Sequence, residues 1–271
     1  MKNKILLGVL IIIFIIAGVL IGTNTKENRE EDSLKRIIEK GTLILGLDDS
    51  FPPMGFRNEN NEIVGFDIDV AKEVSKRLGV ELILQPISWT AKEQELNSYN
   101  IDCIWNGMSI NEERKEAMSL SLPYLENNMS FVVKENSTIN NMNDLKGKTI
   151  GVQSGSTAEE ILTESEIYTE IKEVISYTDN ITAFMDMEIN QIDCVFLDNV
   201  VANYYITSNN KNYRILSEGL QDEEYAIGFR KQDTELCNRI NEILLEMKKD
   251  GTLASISTKW FGSDISIIKE K

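Results

Sequence analysis

The chain has 271 residues, and its 28 basic against 44 acidic side chains leave a formal charge of −16. That balance argues against a nucleic-acid partner, because phosphate binding needs clustered Lys and Arg. Histidine is absent, which excludes Ser-His-Asp and Cys-His hydrolases and any His-ligated zinc or iron site.

At the start, residues 5–22 carry no charge, follow Lys2 and Lys4, and precede Glu27, Glu30, Glu31 and Asp32. Such a stretch is a signal peptide or a membrane anchor, with basic residues holding its leading end in the cytoplasm. No A-x-A-like cleavage site follows it, which favours an uncleaved anchor. The polar residues 23–32 read as a tether, and everything beyond is expected outside the cell.

Strand and helix patterns then alternate. Apolar runs at 42–47, 63–66, 81–87 and 101–108 predict strands. Asp67 is placed to cap a helix over 68–78 that stops at Gly79, and a second helix is expected over 91–98. Asn111, followed by Glu112 and Glu113, suits a helix start. Further on, strands are expected at 149–153, 173–177, 193–197, 213–217 and 225–230. Ser156 and Glu159 form an S-x-x-E capping box, Asp179 caps a helix to about residue 188, and helices follow over 199–207 and 234–248. A last helix runs through Trp260. This order predicts mostly parallel sheets with helices on both faces.

Two echoes divide the chain. N-I-D-C-I-W (100–105) matches Q-I-D-C-V-F (191–196), and G-T-L-I-L-G (41–46) matches G-K-T-I-G-V (147–152). In each half the strand-like run precedes the I-D-C run, which suggests two lobes of similar construction with a ligand cleft between them. Cys103, Cys194 and Cys237 are too far apart in sequence for a C-x-x-C motif, and the first two sit in apolar runs as small core residues.

In such sheets ligands bind beyond the carboxyl ends of strands. Residues 106–109, Asn-Gly-Met-Ser, lead to a helix carrying Arg114, whose fork can grip a carboxylate; the alternative is a surface Arg beside Glu112 and Glu113. The small-residue turn 153–157, ending at Thr157, offers N–H groups and a helix N-terminus to an anion, or is plain capping. Asp198 closes an apolar strand, where it either receives an ammonium or caps the next helix. Asp48, Asp49 and Phe51 follow the first strand and Trp89 the third, as an acid with aromatic walls or as core packing. Together these are the needs of a free α-amino acid.

Five ordered segments resemble the bacterial extracellular solute-binding proteins of family 3, which serve polar amino-acid ABC transporters. They are G-F-D-I-D-V-A-K-E-V (65–74), I-W-N-G-M-S-I-N-E-E-R (104–114), L-K-G-K-T-I-G-V-Q-S-G-S-T-A-E-E (145–160), I-G-F-R-K (227–231) and K-W-F-G (259–262). The resemblance implies a two-lobed α/β periplasmic-binding-protein fold of type II with two hinge crossovers. One lobe is then 33–125 plus 224–271, and the other 126–223.

The resemblance places the carboxylate grip on Arg114, with backbone donors near Gly107, Ser109 and Thr157. It places the ammonium acceptor on Asp198, aromatic walls on Phe51 and Trp89, and a side-chain acid on Asp48. Asn106 and Gly107 stand where several relatives carry Ser, Phe51 where many carry Tyr, and a lipid-bearing Cys is lacking. The implied protein is a monomer with no cofactor, metal or catalysis. It passes a polar amino acid to a membrane permease; the resemblance does not say which, but Asp48 beside Phe51 and Trp89 suits a cationic side chain, with cystine and glutamine open. A sensing receptor and a dehydratase on the same fold are the alternatives.

Overall fold

The computed structural model describes residues 33–208 and 212–269. The expected anchor at 5–22 and its tether lie outside the described residues. Among the described residues, no helix is long and apolar enough to cross a membrane.

The first lobe is built on a five-stranded sheet in the order β5 (Glu81–Pro86), β1 (Thr42–Leu47), β6 (Cys103–Ile104), β13 (Gly228–Arg230), β7 (Met118–Leu120). Strand β1 sits inside it, and Leu43, Leu45 and Leu47 are fully buried, as a nearly continuous apolar run requires. Helices α1 (Ser33–Lys40), α2 (Phe66–Leu78), α3 (Lys92–Asn97) and α4 (Glu112–Ala117) join these strands. A small antiparallel sheet, β2 (Ser50–Phe51), β3 (Gly55–Arg57) and β4 (Ile63–Val64), follows β1.

The second lobe repeats the plan in the order β10 (Glu173–Tyr177), β9 (Thr149–Gln153), β11 (Cys194–Asp198), β8 (Leu125–Lys134), β12 (Tyr213–Tyr225). Its helices are α5 (Thr157–Glu164), α6 (Asn180–Glu188) and α7 (Asn199–Ser208). After β12 the chain returns to the first sheet through β13. It ends with α8 (Thr234–Lys249) and α9 (Thr252–Phe261), which pack on each other and on the first lobe. The buried face of α8 is Leu236, Ile240, Ile243, Leu244 and Met247, the apolar spacing of an amphipathic helix.

The echoed I-D-C runs have one physical cause. Asp102 accepts a hydrogen bond from the Ile44 N–H at 2.9 Å through its side chain, while its own N–H donates to the Ile44 carbonyl at 2.7 Å. Asp193 does the same to Thr149, at 2.9 Å in both directions. In each lobe an acid thus clamps the entry of the leading strand to the next parallel strand. The cysteine that follows each acid, Cys103 or Cys194, is fully buried, and Cys237 is buried as well.

Several elements depart from the sequence expectation. Helix α2 starts at Phe66 behind Gly65, so β4 ends at Val64 and Asp67 is no cap. Asp67 lies fully buried in the first turn, and its Oδ2 takes the Gly107 N–H at 2.7 Å. Of the run 101–108 only Cys103–Ile104 joins the ladder; the chain then bends into the cleft. Residues 213–225 form one strand with two register shifts, against an expected break after 217. Each sheet is also mixed: β8 and β12 are antiparallel to their neighbours, as are β13 and β7.

The chain crosses between sheets twice, from β7 into β8 and from β12 into β13. At the crossings β8 and β12 pair side by side, with Leu125 opposite Tyr225 and Asn127 opposite Glu223. The ends of β1, β6, β9 and β11 converge on this hinge from both lobes.

Candidate functional site

All nine residues expected at the site line one cavity between the lobes: Asp48, Phe51, Trp89, Asn106 and Gly107, then Ser109, Arg114, Thr157 and Asp198. Met129, Gln153 and Ser156 complete its walls, and about 310 Å³ of space, part of it open to solvent, lies between them.

Most of the side chains arrive from strand ends, Arg114 from a helix start and Met129 from within β8. Asp48 and Phe51 follow β1, and Trp89 follows β5 in a short 3-10 turn. Residues 106–109 follow β6, and Gly107 holds φ +56°. A Cβ there would lie 2.9 Å from the Phe51 ring, so only glycine lets the chain turn against that wall. Asn111 caps α4 by accepting from the Arg114 N–H, which sets Arg114 in the first turn of a helix facing the cleft.

Arg114 is buried yet charged. One guanidinium nitrogen donates to the Ser109 carbonyl at 2.6 Å and to Thr157 Oγ1, across the cleft, at 2.9 Å. Its other N–H groups make no protein hydrogen bond among the described residues. Burial pulls its pKa down, opposed by the acids around it. Opposite, Asp198 Oδ1 accepts from Asn127 Nδ2 at 2.9 Å and from the Tyr225 hydroxyl. Burial pushes the Asp198 carboxyl up to about 6, against the Tyr225 bond and the Arg114 charge.

The structure redistributes some expected donors. The Gly107 N–H is taken by Asp67, so it is not free for a carboxylate. Ser109 lies in a bridge with Tyr225 whose bonds come from the Ile110 and Ala226 N–H groups, which leaves the Ser109 N–H outside the ladder. In the turn 153–157, Ser154 donates to the Tyr177 carbonyl, Ser156 to the Gln153 carbonyl, and Gly155 to the Glu159 carboxylate. Glu159 therefore reaches Gly155 rather than the Ser156 N–H of a reciprocal box. The open N–H groups are those at the start of α5, Thr157 and Ala158.

Asp48 is engaged on both oxygens. Oδ1 accepts from the Ser50 N–H at 2.9 Å and its hydroxyl at 2.5 Å, and Oδ2 accepts from Gln153 Nε2 at 2.6 Å. Burial raises its pKa, and these bonds lower it again. Asn106 braces the same loop by accepting the Asp48 N–H at 2.9 Å. Asp49 pairs instead with Arg57 at 2.5 Å and does not line the cavity.

The lobes are shut on each other. Besides Arg114–Thr157 and Gln153–Asp48, Asn111 Nδ2 donates to Glu160 at 2.7 Å and Lys92 Nζ to the Gly155 carbonyl at 3.1 Å. Gly155, at φ +69°, lets Thr90 approach so closely that a Cβ would stand 3.2 Å from its methyl group.

Sequence reasoning singled out the turn 153–157 without giving the Gln153 side chain a role, and it missed Met129 and, beneath the cavity, Asn127 and Glu223. Gln153 ends an expected strand and was legible from that position. The other three lie on β8 and β12, where nothing in the residue pattern signals a site.

Two lobes closing on a polar cavity, joined by two crossing strands, define a two-lobed periplasmic solute-binding fold. The profile of the bacterial extracellular solute-binding proteins, family 3, matches residues 43–263. The chain belongs to that family. It is 32% identical over 247 residues to the L-cystine-binding protein TcyJ of Escherichia coli, covering 90% of this chain and 92% of that protein. It is 33% identical over 222 residues to the ABC transporter arginine-binding protein 1 of Escherichia coli, covering 80% and 89%. A histidine-bound ABC uptake transporter substrate-binding protein from Streptococcus pneumoniae superimposes with a TM-score of 0.84 at 36% identity, covering 87% of this chain and 98% of that one.

Proposed function

We propose that the cavity captures one free cationic amino acid, of the arginine or lysine type, and that the closed protein delivers it to an ABC permease in the membrane. The charge of the lining carries this reading. Asp48 and Asp198 face a single cation, Arg114, so the walls bear one net negative charge, and buried charge demands a counter-charge. The ligand's carboxylate meets the open N–H groups of Arg114, Ser109 and the α5 start. Its ammonium meets Asp198. That leaves Asp48, between Phe51 and Trp89, for a guanidinium or second ammonium.

L-Cystine is the second reading. Asp48 already holds three hydrogen bonds from Ser50 and Gln153 and does not require a full cation, and the similarity to TcyJ runs almost the whole length of both chains. Thermal unfolding of the purified protein with each common amino acid and cystine tests both. L-Arginine is expected to raise Tm by several degrees and L-glutamate to leave it unchanged, because a ligand of the native state stabilises it. A shift with glutamate and none with arginine, lysine or cystine would overturn the charge argument.

Binding without catalysis fits the chemistry of the lining. A dehydratase on this fold needs a free acid over the ligand centre, whereas Asp48 and Asp198 are both held by protein donors. The protein acts as a monomer, its lobes formed by 33–125 with 224–271 and by 126–223, hinged where β8 and β12 cross. A receptor role would need a signalling partner, and delivery to a permease is the simpler use of a closing cleft.

The working place is the outer face of the cell membrane, held there by residues 5–22. Mass spectrometry of the native N-terminus checks this: the intact segment is expected in the membrane fraction. A form starting after residue 22 and found in the medium would show secretion after cleavage instead.

A further inference from the structure

We propose that Glu223 is a third acid of the ligand site, set behind Asp198 and holding a proton that ligand capture expels, so that amino-acid affinity rises with pH through the neutral range. This rests on reading the cavity as an amino-acid site, and it concerns a residue that lies outside the sequence motifs and does not line the cavity.

Glu223 stands on β12 opposite Asn127 on β8, where the two crossings run together. Its Oε2 accepts from the Ser109 hydroxyl at 2.7 Å and lies 3.5 Å from Asn127 Nδ2. The same Asn127 nitrogen bonds Asp198 Oδ1 at 2.9 Å. One amide therefore serves two carboxylates, and the two acids are one bond apart through it. Glu223 is 5% exposed, and its Oε1 is buried with no donor among the described residues.

A carboxylate with one bare oxygen beside a like charge gains doubly from a proton: it loses the desolvation cost and the repulsion. Burial, then the Asp198 charge, push the Glu223 carboxyl up to about 7, and burial holds Asp198 at about 6. Arg114 is the cation that acts on both, one positive charge against two negative ones. Tyr225, bonded to Asp198, is held neutral. Lys115, Glu126, Asp222 and Glu224 line the adjoining hinge groove but are exposed, where solvent screens them.

The two acids therefore titrate as a pair that shares about one proton near neutral pH. An ammonium arriving at Asp198 supplies the missing positive charge, and the shared proton leaves to solvent. Linkage then makes affinity increase with pH until the pair is fully ionised.

The test is calorimetry of wild type and Glu223→Gln with L-arginine and, in parallel, L-cystine, at pH 6 and 8, in buffers of different ionisation enthalpy. Glutamine keeps an acceptor for Ser109 but cannot titrate. Wild type is expected to release about half a proton or more per ligand near neutral pH and to bind about fivefold tighter at pH 8 than at pH 6. Glu223→Gln is expected to release less than half as much and to change less than about twofold. Equal release in both proteins overturns the proposal.

Unfolding of the ligand-free proteins gives a second, independent reading. A carboxyl raised in the folded state makes stability fall as pH rises from about 4.5, its unfolded value, to about 7. Wild type should therefore lose Tm relative to Glu223→Gln between pH 5 and pH 8. Parallel Tm profiles overturn the proposal even where neither amino acid binds, whereas failure of both to bind wild type counts only against the ligand reading.

Discussion

Arg114→Ala is expected to weaken ligand binding by roughly 2–5 kcal/mol, about thirty-fold to several-thousand-fold, with little change in fold. The guanidinium is the one cation among the residues lining the cavity. It is buried and held on two sides, by the Ser109 carbonyl and Thr157 Oγ1. Its removal costs the ligand carboxylate its partner and leaves Asp48 and Asp198 facing each other without a counter-charge. It also deletes one of the bonds that shut the lobes, so the loss should appear in the dissociation rate as well as in Kd. Arg114→Lys should recover only part of the affinity, because an ammonium cannot hold the Ser109 and Thr157 oxygens and a carboxylate together in the guanidinium's planar geometry. Calorimetry with L-arginine is the measurement. Affinity unchanged in Arg114→Ala would remove Arg114 from the site.

What made the site readable is that its parts sit at strand ends, and apolar runs such as 42–47 and 149–153 mark strands without ambiguity. The repeated I-D-C runs were legible because the same clamp, acid to backbone N–H of the leading strand, is built twice. The residue pattern did not mark the crossings, which were expected only from the family resemblance. Residues 125–130 read L-E-N-N-M-S and 218–224 read E-G-L-Q-D-E-E; both are too polar to mark a strand, yet they pair with each other, Asn127 opposite Glu223. That pairing is tertiary, and no local pattern encodes it.

Asp67 misled for a related reason. An acid before an apolar helical run is the usual cap, but here Gly65 begins the helix and frees Asp67 to turn inward toward Gly107. That inward turn also removed the Gly107 N–H from the expected ligand donors. Met129, Asn127 and Glu223 were hidden with the crossings that carry them. The cavity-lining residues were thus visible in sequence to the extent that they follow parallel strands, and the strands beneath them were not.

Replacing Arg230 by methionine is expected to cost about 3–5 kcal/mol of stability, a fall in Tm of about 10 °C for a chain of this size. Arg230 is 1% exposed, at the end of β13, and bonds Asp233 at 2.6 Å, the Leu96 carbonyl at 2.9 Å and the Ile101 carbonyl at 2.6 Å. Its guanidinium also stacks 4.2 Å from the Tyr99 ring and stands 3.5 Å from Asp102. Methionine fills the space but cannot charge it. Asp233 would keep only Arg36, at 3.0 Å, and Asp102 only Lys40 and the Ile44 N–H, both at 2.9 Å. Because Asp102 is the clamp between β1 and β6, and β6 leads directly into residues 106–109, the loosened network should reach the cavity. Ligand affinity in the surviving folded protein should therefore fall too, though by far less than in Arg114→Ala. Thermal unfolding with and without L-arginine measures both effects. A Tm within about 2 °C of wild type would mean that hydrophobic packing alone holds β13 in place.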